Sequence, residues 1–329
     1  MEKIDTQTYI RELTMADLPL PHPETQRPII LVAGGTGLIG SRLSILLEDA
    51  GYAVRHLSRK AQADTRFPAF AWNPDSGYID ERALDGVLAV INLAGAGIAD
   101  KPWTKGRKEI IISSRVRSAL LLRDAMLRQS TPPQAYLSGG AIGFYGNRGD
   151  EWMDEDSKPG SGFLSESCTA WEKAAHEVES TGIRTVIFRI GLVLSTAGGA
   201  LPKLLLPLPF GLSPYFADGK QWYSWIHIDD LCNMFLFALR EPNLSGTFNA
   251  VAPQPVTNAT FAKTLPATTG KKALVCPAPA IALRIGMGEM ADTVLFSTRV
   301  SSQKIEKEGF HYQFPELGPA IADLLKRKK

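Results

Sequence analysis

Apolar residues in the first 190 positions fall into short runs that alternate with stretches of helical spacing. Six runs have the length and composition of buried strands, namely residues 29–33, 53–57, 67–72, 87–93, 135–138 and 184–190. Apolar residues recur at the spacing of one helix face over residues 38–50, 103–129 and 164–180. Strands that alternate with helices indicate parallel crossovers, so we predict an α/β fold with a doubly wound parallel sheet.

The pattern changes near residue 200. Prolines and leucines crowd residues 201–214, and the later elements are shorter and separated by Pro and Gly. We therefore predict the sheet domain over residues 28–200 and a smaller C-terminal α+β lobe on the substrate side over residues 201–329, with an interleaved boundary. Residues 1–27 are polar and proline-rich, and they lack the charged start and apolar stretch of a signal peptide. We interpret them as a polar extension.

Composition narrows the function classes. The 329 residues include 36 Lys and Arg against 34 Asp and Glu, so no net field attracts nucleic acid or an anionic membrane. No apolar run is long enough to span a bilayer. The three cysteines, Cys168, Cys232 and Cys276, have no metal-ligand spacing and no disulfide framework. We expect a cytoplasmic protein with no metal, no nucleic-acid partner and no membrane partner, for which a homodimer is one compatible assembly.

A glycine-rich turn follows the first predicted strand. Gly34, Gly37 and Gly40 have the spacing GxxGxxG and lie directly between a strand and a helix. The first glycine permits a tight turn, the second lets the main chain approach a pyrophosphate, and the third allows close packing of helix on strand. The amides of the helix N-terminus then face the phosphates. We predict a Rossmann dinucleotide site formed by Gly34, Gly35, Thr36, Gly37, Leu38, Ile39 and Gly40; a glycine-rich turn that serves packing alone is the alternative.

The end of the second predicted strand indicates which dinucleotide binds. Sites that prefer NAD place an acidic residue there for the ribose hydroxyls, whereas this chain has Arg59 and Lys60. A guanidinium can hold a 2′-phosphate through two hydrogen bonds. We therefore predict NADP, with NAD less favoured, and Arg42 of the first helix as an assisting group. In the alternative, Arg59 and Lys60 are ordinary loop charges and Asp64 is a late acidic partner.

A second stretch of small residues ends the strand predicted at residues 87–93. The sequence Asn92, Leu93, Ala94, Gly95 lies at the carboxyl edge of the sheet, where open α/β sheets bind ligands. Small side chains there let the main chain lie close to the ribose or the pyrophosphate. We predict that these four residues contact the cofactor, and a simple strand-end turn is the alternative.

With these motifs placed, the chain resembles the extended short-chain dehydrogenase/reductase superfamily. More narrowly, it is similar to the atypical branch of epimerase-family proteins that carry a C-terminal domain of unknown function. The resemblance rests on motifs in order along the chain, at residues 33–40, 90–95, 103–104, 113–116, 144–146, 163–172 and 225–230. It covers the chain from about residue 29 to near the C-terminus. It implies a Rossmann domain whose small C-terminal lobe closes over the nicotinamide side.

The resemblance also implies where catalytic residues should lie. Superfamily enzymes use a Tyr-x-x-x-Lys pair, and the lysine lowers the pKa of the tyrosine so that it can exchange a proton. The matching positions here are Leu164 and Cys168. The usual asparagine is matched by Arg115, and the usual serine by Gly140. Cys-for-Lys and Arg-for-Asn belong to the atypical branch, whereas the loss of the serine is a further departure.

Four residues remain as candidates for chemistry: Arg115, Cys168, Ser138 and Tyr145. Arg115 could stabilise an oxyanion or hold a carboxylate. Tyr145 could donate a proton or only pack its ring. Cys168 beside Arg115 could have thiolate character, or it could be a small buried apolar residue.

Residues 227–230 lie at a strand-to-helix junction. His227 could line the active site, but we favour a structural role in which Asp229 or Asp230 caps the helix. We predict that residues 218–223 form a loop on the substrate side. Lys203 and Lys220 could attract an anionic substrate.

Two functions remain open on the sequence. The first is an NADP(H)-dependent oxidoreductase or epimerase that acts on an unidentified small molecule. The second is a non-catalytic NADP-binding regulatory or redox-sensing protein, a view supported by cell-division or regulatory labels on some members of the resembled branch. The cofactor turn favours the first function, and the missing Tyr/Lys pair favours the second.

Overall fold

The computed structural model describes residues 27–326. Residues 1–26 of the predicted N-terminal extension lie outside the described residues, as do the last three residues of the basic C-terminus. None of the described helices is both long enough and apolar enough to cross a membrane.

Sixteen strands and ten α-helices are defined within residues 27–326. The strands are β1 (Ile29–Ala33), β2 (Ala53–Ser58), β3 (Ala69–Asn73), β4 (Tyr78–Ile79), β5 (Val87–Asn92), β6 (Ala135–Ala141), β7 (Trp152–Met153), β8 (Arg184–Ile190), β9 (Leu192–Leu194), β10 (Leu212–Phe216), β11 (Trp222–Tyr223), β12 (Trp225–His227), β13 (Gly246–Ala250), β14 (Val256–Thr257), β15 (Leu274–Ala278) and β16 (Arg299–Val300). The helices are α1 (Leu38–Asp49), α2 (Lys105–Leu127), α3 (Phe163–Glu179), α4 (Ala200–Leu205), α5 (Ile228–Arg240), α6 (Asn258–Thr269), α7 (Ala280–Met287), α8 (Asp292–Leu295), α9 (Gln303–Lys307) and α10 (Leu317–Lys326).

The main sheet has eight strands in the order β13-β8-β6-β5-β1-β2-β3-β4. All neighbours are parallel except β3 and β4, which are antiparallel. The chain runs outward from β1 first to β2 and β3, and then in the opposite direction to β5, β6 and β8. This reversal places the ligand crevice at the carboxyl ends of β1 and β5. The predicted Rossmann fold with a doubly wound parallel sheet is confirmed.

Both faces of the sheet are covered, because alternate residues of a strand point to opposite sides. In β1, Ile30 and Val32 pack in the apolar cluster that contains residues of α1. Leu31 and Ala33 pack in the cluster that contains residues of α2. All four side chains are fully buried, which explains why β1 is a continuous apolar run.

One strand is longer than its apolar run predicts. The strand expected at residues 135–138 continues through Gly139 and Gly140 to Ala141, because it pairs with β8 along its whole length. A Cβ at Gly139 would lie 3.2 Å from the Trp171 ring, and one at Gly140 would lie 3.1 Å from the Phe188 carbonyl oxygen. The two glycines therefore reflect close packing within the sheet, beyond the predicted end of the strand at residue 138.

The C-terminal part of the chain forms short elements that extend the main sheet domain. β13 joins the main sheet, so that sheet contains residues from both sides of position 200. The remaining short strands pair as β10 with β15, β11 with β14, β9 with β12, and β7 with β16. Helix α10 contributes Leu317, Ile321 and Leu324 to the same apolar cluster as α1. These later elements therefore share their core with the sheet, and the division into a sheet domain and a C-terminal lobe near residue 200 stays a prediction.

Candidate functional site

The glycine turn between β1 and α1 is a close-packed cradle. Gly34 has a φ of +83°, and a Cβ there would lie 2.8 Å from the Leu93 carbonyl carbon and oxygen. A Cβ at Gly40 would lie 2.2 Å from the Gly34 carbonyl oxygen, and one at Gly35 would lie 2.4 Å from the His56 ring. Side chains at these three positions would push the turn out of shape, so the main chain itself forms the surface of the crevice.

The N-terminus of α1 points its amides into this crevice. Gly37 is the N-cap residue and provides no side-chain cap, and the first turn of α1 contains no acidic residue. Thr36 and Gly37 are exposed at the rim. Uncapped amides and the positive end of the helix dipole suit a phosphate group. The seven residues at positions 34–40 therefore fit the pyrophosphate of a dinucleotide.

Arg59 and Lys60 follow the last residue of β2 and are exposed beside the crevice. Within residues 27–326, neither side chain forms an ion pair, so both are available to an anionic group. Arg42 is different, because its guanidinium donates to both carboxylate oxygens of Asp229 at 2.7 and 3.0 Å. Arg42 therefore ties α1 to α5, and its assistance to a 2′-phosphate stays a prediction.

The residues after β5 lie against the glycine turn. The Asn92 side chain is fully buried; it donates to the Tyr136 hydroxyl at 2.8 Å and accepts from the Ala94 amide at 3.1 Å. It therefore holds the shape of the turn and does not face the crevice. A Cβ at Gly34 would meet the Leu93 main chain at 2.8 Å, and one at Gly95 would lie 3.0 Å from Arg115 Cζ. Cofactor contact by residues 92–95 remains a prediction, in which the main chain and small side chains supply the surface.

A cavity of about 460 Å³ opens beyond the carboxyl ends of β6 and β8. One face of α3 supplies Leu164, Ser167, Cys168 and Trp171 to its wall, since residues spaced by three, four and seven positions share a helix face. Lys203 also lines the cavity. The C-terminal lobe closes the opposite side through residues of β10, β11, α7 and the segment at residues 292–298.

Arg115 is half-buried in this cavity. Its Nη1 donates to the carbonyl oxygens of Ala96 at 3.0 Å and Ile111 at 2.9 Å, and its guanidinium lies 4.9 Å from the ring centre of Trp171. Burial lowers the pKa of Arg115, and Cys168 offsets part of this effect. Among the described residues, no carboxylate forms an ion pair with it. The site therefore holds a fixed cation that an anionic or oxyanionic ligand would neutralise.

Cys168 lines the same cavity but is not activated. Burial, together with the nearby Glu172 carboxylate, raises the pKa of its thiol to about 12, although Arg115 and Arg189 oppose part of this rise. The side chain packs with Phe144 and Met153 in an apolar cluster. The thiolate alternative for Cys168 is therefore not supported, and Cys168 is a small apolar residue of the wall.

Ser138 and Tyr145 are not brought to the cavity. Ser138 is fully buried, and its hydroxyl donates to the Gly139 carbonyl oxygen at 2.9 Å. The Tyr145 hydroxyl donates to Asn249 Oδ1 at 2.6 Å and accepts from Arg189 Nη1 at 2.9 Å. Burial raises the pKa of Tyr145 to about 12. Both hydroxyls serve internal hydrogen bonds, so neither is placed to exchange a proton with a ligand there.

The position that corresponds to the superfamily serine does not face the cavity. Gly140 faces Phe188, Ile187 and Glu172 on the side of β8, whereas the next residue, Ala141, lines the cavity. A serine at position 140 would therefore point into the sheet packing. The side chain that faces the cavity from this edge is a methyl group, which cannot donate a proton.

The junction at residues 227–230 is structural, but not in the way predicted. The prediction that Asp229 or Asp230 caps α5 is wrong, because the cap is the His227 ring, whose Nδ1 accepts from the Asp229 amide at 3.0 Å. His227 is fully buried and stacks on Phe314 at 4.0 Å between ring centres. Asp230 accepts from the amides of residues 313 and 314. His227 therefore does not line the cavity.

Some lining residues lie where the sequence predicts the substrate side, and others have no sequence signal. Trp222 and Tyr223 come from the predicted substrate-side loop at residues 218–223, and Lys203 also faces the cavity, whereas Lys220 does not line it. The apolar wall from the C-terminal lobe includes Leu283 and Met287, on the short helix α7. A short apolar segment near the C-terminus does not itself indicate which face meets a cavity.

Comparisons with known proteins agree with this arrangement. Residues 30–251 match the NAD dependent epimerase/dehydratase family, and residues 278–324 match a domain of unknown function, DUF1731. The epimerase family protein Mb2239 of Mycobacterium bovis is 34% identical over 89% of this chain and 96% of its own length.

Two solved structures are similar over the whole described fold. The crystal structure of human epimerase family protein SDR39U1 with NADPH has a TM-score of 0.81 at 32% identity, covering 91% of this chain and 99% of that one. A nucleoside-diphosphate sugar epimerase from Corynebacterium glutamicum has a TM-score of 0.74 at 33% identity, covering 91% of this chain and 58% of that one.

Proposed function

Because the chain belongs to the NAD dependent epimerase/dehydratase family, we propose that it binds NADP(H) and acts as an atypical short-chain dehydrogenase/reductase on a small molecule. The cofactor would lie along the carboxyl edge of the sheet, with its pyrophosphate on the amides at the start of α1. Arg59 and Lys60 would hold the 2′-phosphate, which distinguishes NADP from NAD. The NADPH in the structure of the human relative supports this assignment.

The observation that carries the proposal is the half-buried Arg115 guanidinium in the cavity. In the superfamily pattern, the cation beside the nicotinamide is a lysine on the helix that corresponds to α3. Here Cys168 occupies that position, and Arg115 supplies a cation from α2 to the same cavity wall. We interpret the two replacements as one relocation of positive charge, so that the site keeps its cation although it has lost its lysine.

The residues of the chain would divide the chemistry as follows. Bound NADPH supplies a hydride. Arg115 stabilises negative charge that develops on the substrate oxygen, since it is fixed in place by two main-chain carbonyls and needs no rearrangement. The apolar lobe excludes water from the reacting atoms. Leu164 cannot move a proton, so no proton transfer is assigned to the position of the superfamily tyrosine.

The test compares Arg115→Gln with Arg117→Gln on the same helix. Arg117 is exposed and pairs only with exposed Asp75 among the described residues, which makes it a matched control. Titration calorimetry with NADP⁺ measures cofactor binding, and loss of reduced-nicotinamide absorbance across a panel of carbonyl compounds measures turnover. Arg115→Gln should lower kcat/KM by about 10²–10³-fold, and Arg117→Gln should leave it unchanged. Equal turnover in both variants would refute the role of Arg115.

A second function is favoured by one specific observation. The two positions of the superfamily acid–base pair are an apolar leucine and a protonated thiol, which suits an NADP-binding regulatory or redox-sensing protein with a protein partner. Tight NADP⁺ binding together with no turnover of any compound in the carbonyl panel would favour this candidate.

We also propose a cytoplasmic location, which the three free cysteines support. A homodimer is a compatible assembly, and sedimentation analysis would test it.

A further inference from the structure

The cavity has a composition unlike that expected for a sugar ligand. Most of its lining side chains are apolar, among them Ile142, Leu164, Leu192, Leu204, Phe216, Leu283, Met287, Val294 and Phe296. A sugar buried against such a wall would leave several hydroxyl groups without hydrogen bonds, and each would carry a desolvation penalty. An apolar ligand loses nothing there and gains from the burial of its surface.

Most hydroxyl groups in the lining are already used by the protein. Tyr223 donates to the Val294 carbonyl oxygen at 2.9 Å, Ser224 to that of Thr298 at 2.8 Å, and Thr298 to that of Gly146 at 2.8 Å. The carboxylate of Asp292 pairs with Arg284 at 3.2 Å. These groups are oriented by the fold and are not arranged around a polyhydroxylated ligand.

Two donors on the α2–α3 side of the cavity remain for a ligand. The Arg115 guanidinium has the geometry given above. The Trp171 indole N–H beneath it is buried and has no hydrogen-bond partner within the part of the chain that the structure describes. A buried donor without an acceptor is costly, and a ligand oxygen in the cavity would relieve that cost. Lys203 of α4 adds a third donor to the lining. One or two oxygen atoms on an otherwise apolar body match this donor set.

We propose that the cavity binds an apolar conjugated carbonyl compound, a quinone or an enone, as the substrate of the reductase. This inference rests on the proposed NADP(H) function. Reduction of a simple ketone places full negative charge on one oxygen and needs a strong proton donor, and the tyrosine position here is Leu164. Hydride addition to a conjugated carbonyl spreads the charge over several atoms, so a fixed cation at the oxygen suffices until the anion leaves the apolar cavity and takes a proton from water.

Atoms and electrons balance for hydride transfer to either ligand. For a quinone, NADPH and one proton from water give NADP⁺ and the hydroquinone, with two electrons transferred. For an enone, a C–H bond of the reduced cofactor breaks and a C–H bond forms at the β-carbon of the ligand. The double bond moves from the α- and β-carbons to the α-carbon and the carbonyl carbon, which gives an enolate, and a proton from water at the α-carbon then gives the saturated ketone outside the cavity. Arg115 and the Trp171 N–H hold the oxygen that gains charge in both reactions.

The experiment measures binding to the full chain loaded with NADP⁺, which cannot reduce the ligand. Four probes are titrated by calorimetry: duroquinone, whose ring has no free position for thiol addition; the enone isophorone; its saturated counterpart dihydroisophorone; and UDP-glucose. We expect binding of duroquinone and isophorone, and no detectable heat with UDP-glucose. With NADPH, the first two probes should be turned over and dihydroisophorone should not.

A variant pair on α7 tests the location. Leu283 lines the cavity, whereas Ile281 on the same helix is 70% exposed and does not line it. No residue of α7 is buried, so a charge on this helix should not unfold the protein. Leu283→Asp should weaken duroquinone binding by about ten-fold or more, because it places a carboxylate against the apolar ligand. Ile281→Asp should bind duroquinone and NADP⁺ as the unaltered chain does.

The outcomes separate this inference from the proposed function. Binding of NADP⁺ and UDP-glucose without binding of duroquinone or isophorone would overturn the substrate class and leave the cofactor assignment intact. Equal effects of Leu283→Asp and Ile281→Asp would overturn the location. Binding of duroquinone without binding of NADP⁺ would support the ligand class and refute the cofactor assignment.

Discussion

Replacement of Gly40 by alanine is expected to disrupt the glycine turn from within. The new Cβ would lie 2.2 Å from the Gly34 carbonyl oxygen and 2.7 Å from Gly35 Cα, and both of these are main-chain atoms that cannot rotate away. The contact must open by about 1 Å to reach van der Waals distance. Overpacking of this kind costs about 1–3 kcal/mol of unfolding free energy. For a chain of this length, the expected fall in Tm is about 1.5–4.5 °C.

Two further alanine variants separate stability from ligand binding. At Gly37 the nearest atom to a Cβ is the Gly34 carbonyl oxygen at 3.2 Å, so Gly37→Ala should change the unfolding free energy by less than about 0.5 kcal/mol. Its methyl group would occupy the space of the pyrophosphate and raise the Kd for NADPH by about ten-fold or more. A Cβ at Gly286 of α7 meets no atom within 4 Å, so Gly286→Ala should neither lower the unfolding free energy nor raise the Kd for NADPH.

The assay measures Tm by calorimetric scanning and Kd by titration of NADPH for all three variants. Gly40→Ala should lose both stability and affinity, Gly37→Ala affinity alone, and Gly286→Ala neither. A Gly40→Ala protein with unaltered Tm and Kd would show that the turn does not require the close approach of α1 to β1. Loss of stability in Gly37→Ala equal to that in Gly40→Ala would show that the turn responds as a whole and that the two roles cannot be separated.

Three other predictions concern charges and a thiol. Arg59→Glu should raise the Kd for NADPH by about 10–100-fold and leave that for NADH nearly unchanged; an unaltered ratio would mean that the 2′-phosphate lies elsewhere. Arg42→Met should lower the unfolding free energy by about 1 kcal/mol, because Arg42 is partly exposed and its pair with Asp229 is screened; a changed NADPH affinity would contradict the structural role. The raised pKa of Cys168, about 12, keeps its thiol protonated at about pH 8, and reactive thiolate forms only as the pH approaches that value. Mass spectrometry after iodoacetamide treatment should therefore find Cys276 alkylated before Cys168, and equal labelling would show an activated thiol.

The local pattern of the sequence predicts most of the sheet. β1 and β8 begin and end at the predicted residues, because both are buried on two faces and their apolar runs stop where the strands stop. Gly51, with a φ of +91°, follows the end of α1 as a glycine after a helix does. The apolar pattern does not predict the extension of β6 to Ala141, because glycine is uncommon in strands and only the pairing with β8 shows that Gly139 and Gly140 belong to one.

The cavity could be predicted only in part. The residues on α2 and α3 follow from motif positions, but the opposite wall comes from segments far along the chain that meet only in the folded protein. The cap at His227 shows the same limit. Asp229 is the better capping residue by type, yet Arg42, distant in sequence, takes its carboxylate, and the neighbouring imidazole accepts the amide hydrogen bond in its place. Contacts between segments that are distant in sequence therefore determine both the far wall of the cavity and the side-chain contacts at the start of α5.

The parallel pairing of β7 with β16 has a consequence for how the chain folds. Trp152 and Met153 cannot pair until Arg299 and Val300 have been synthesised, and the outermost strand of the main sheet, β13, is also made late. Pairings between segments so distant in sequence form slowly, because loop closure precedes any gain from the contact. During synthesis, the sheet formed by the first two hundred residues would therefore have an unpaired edge at β8 until β13 is made. We therefore expect chains truncated near residue 200 to aggregate more readily than the full chain.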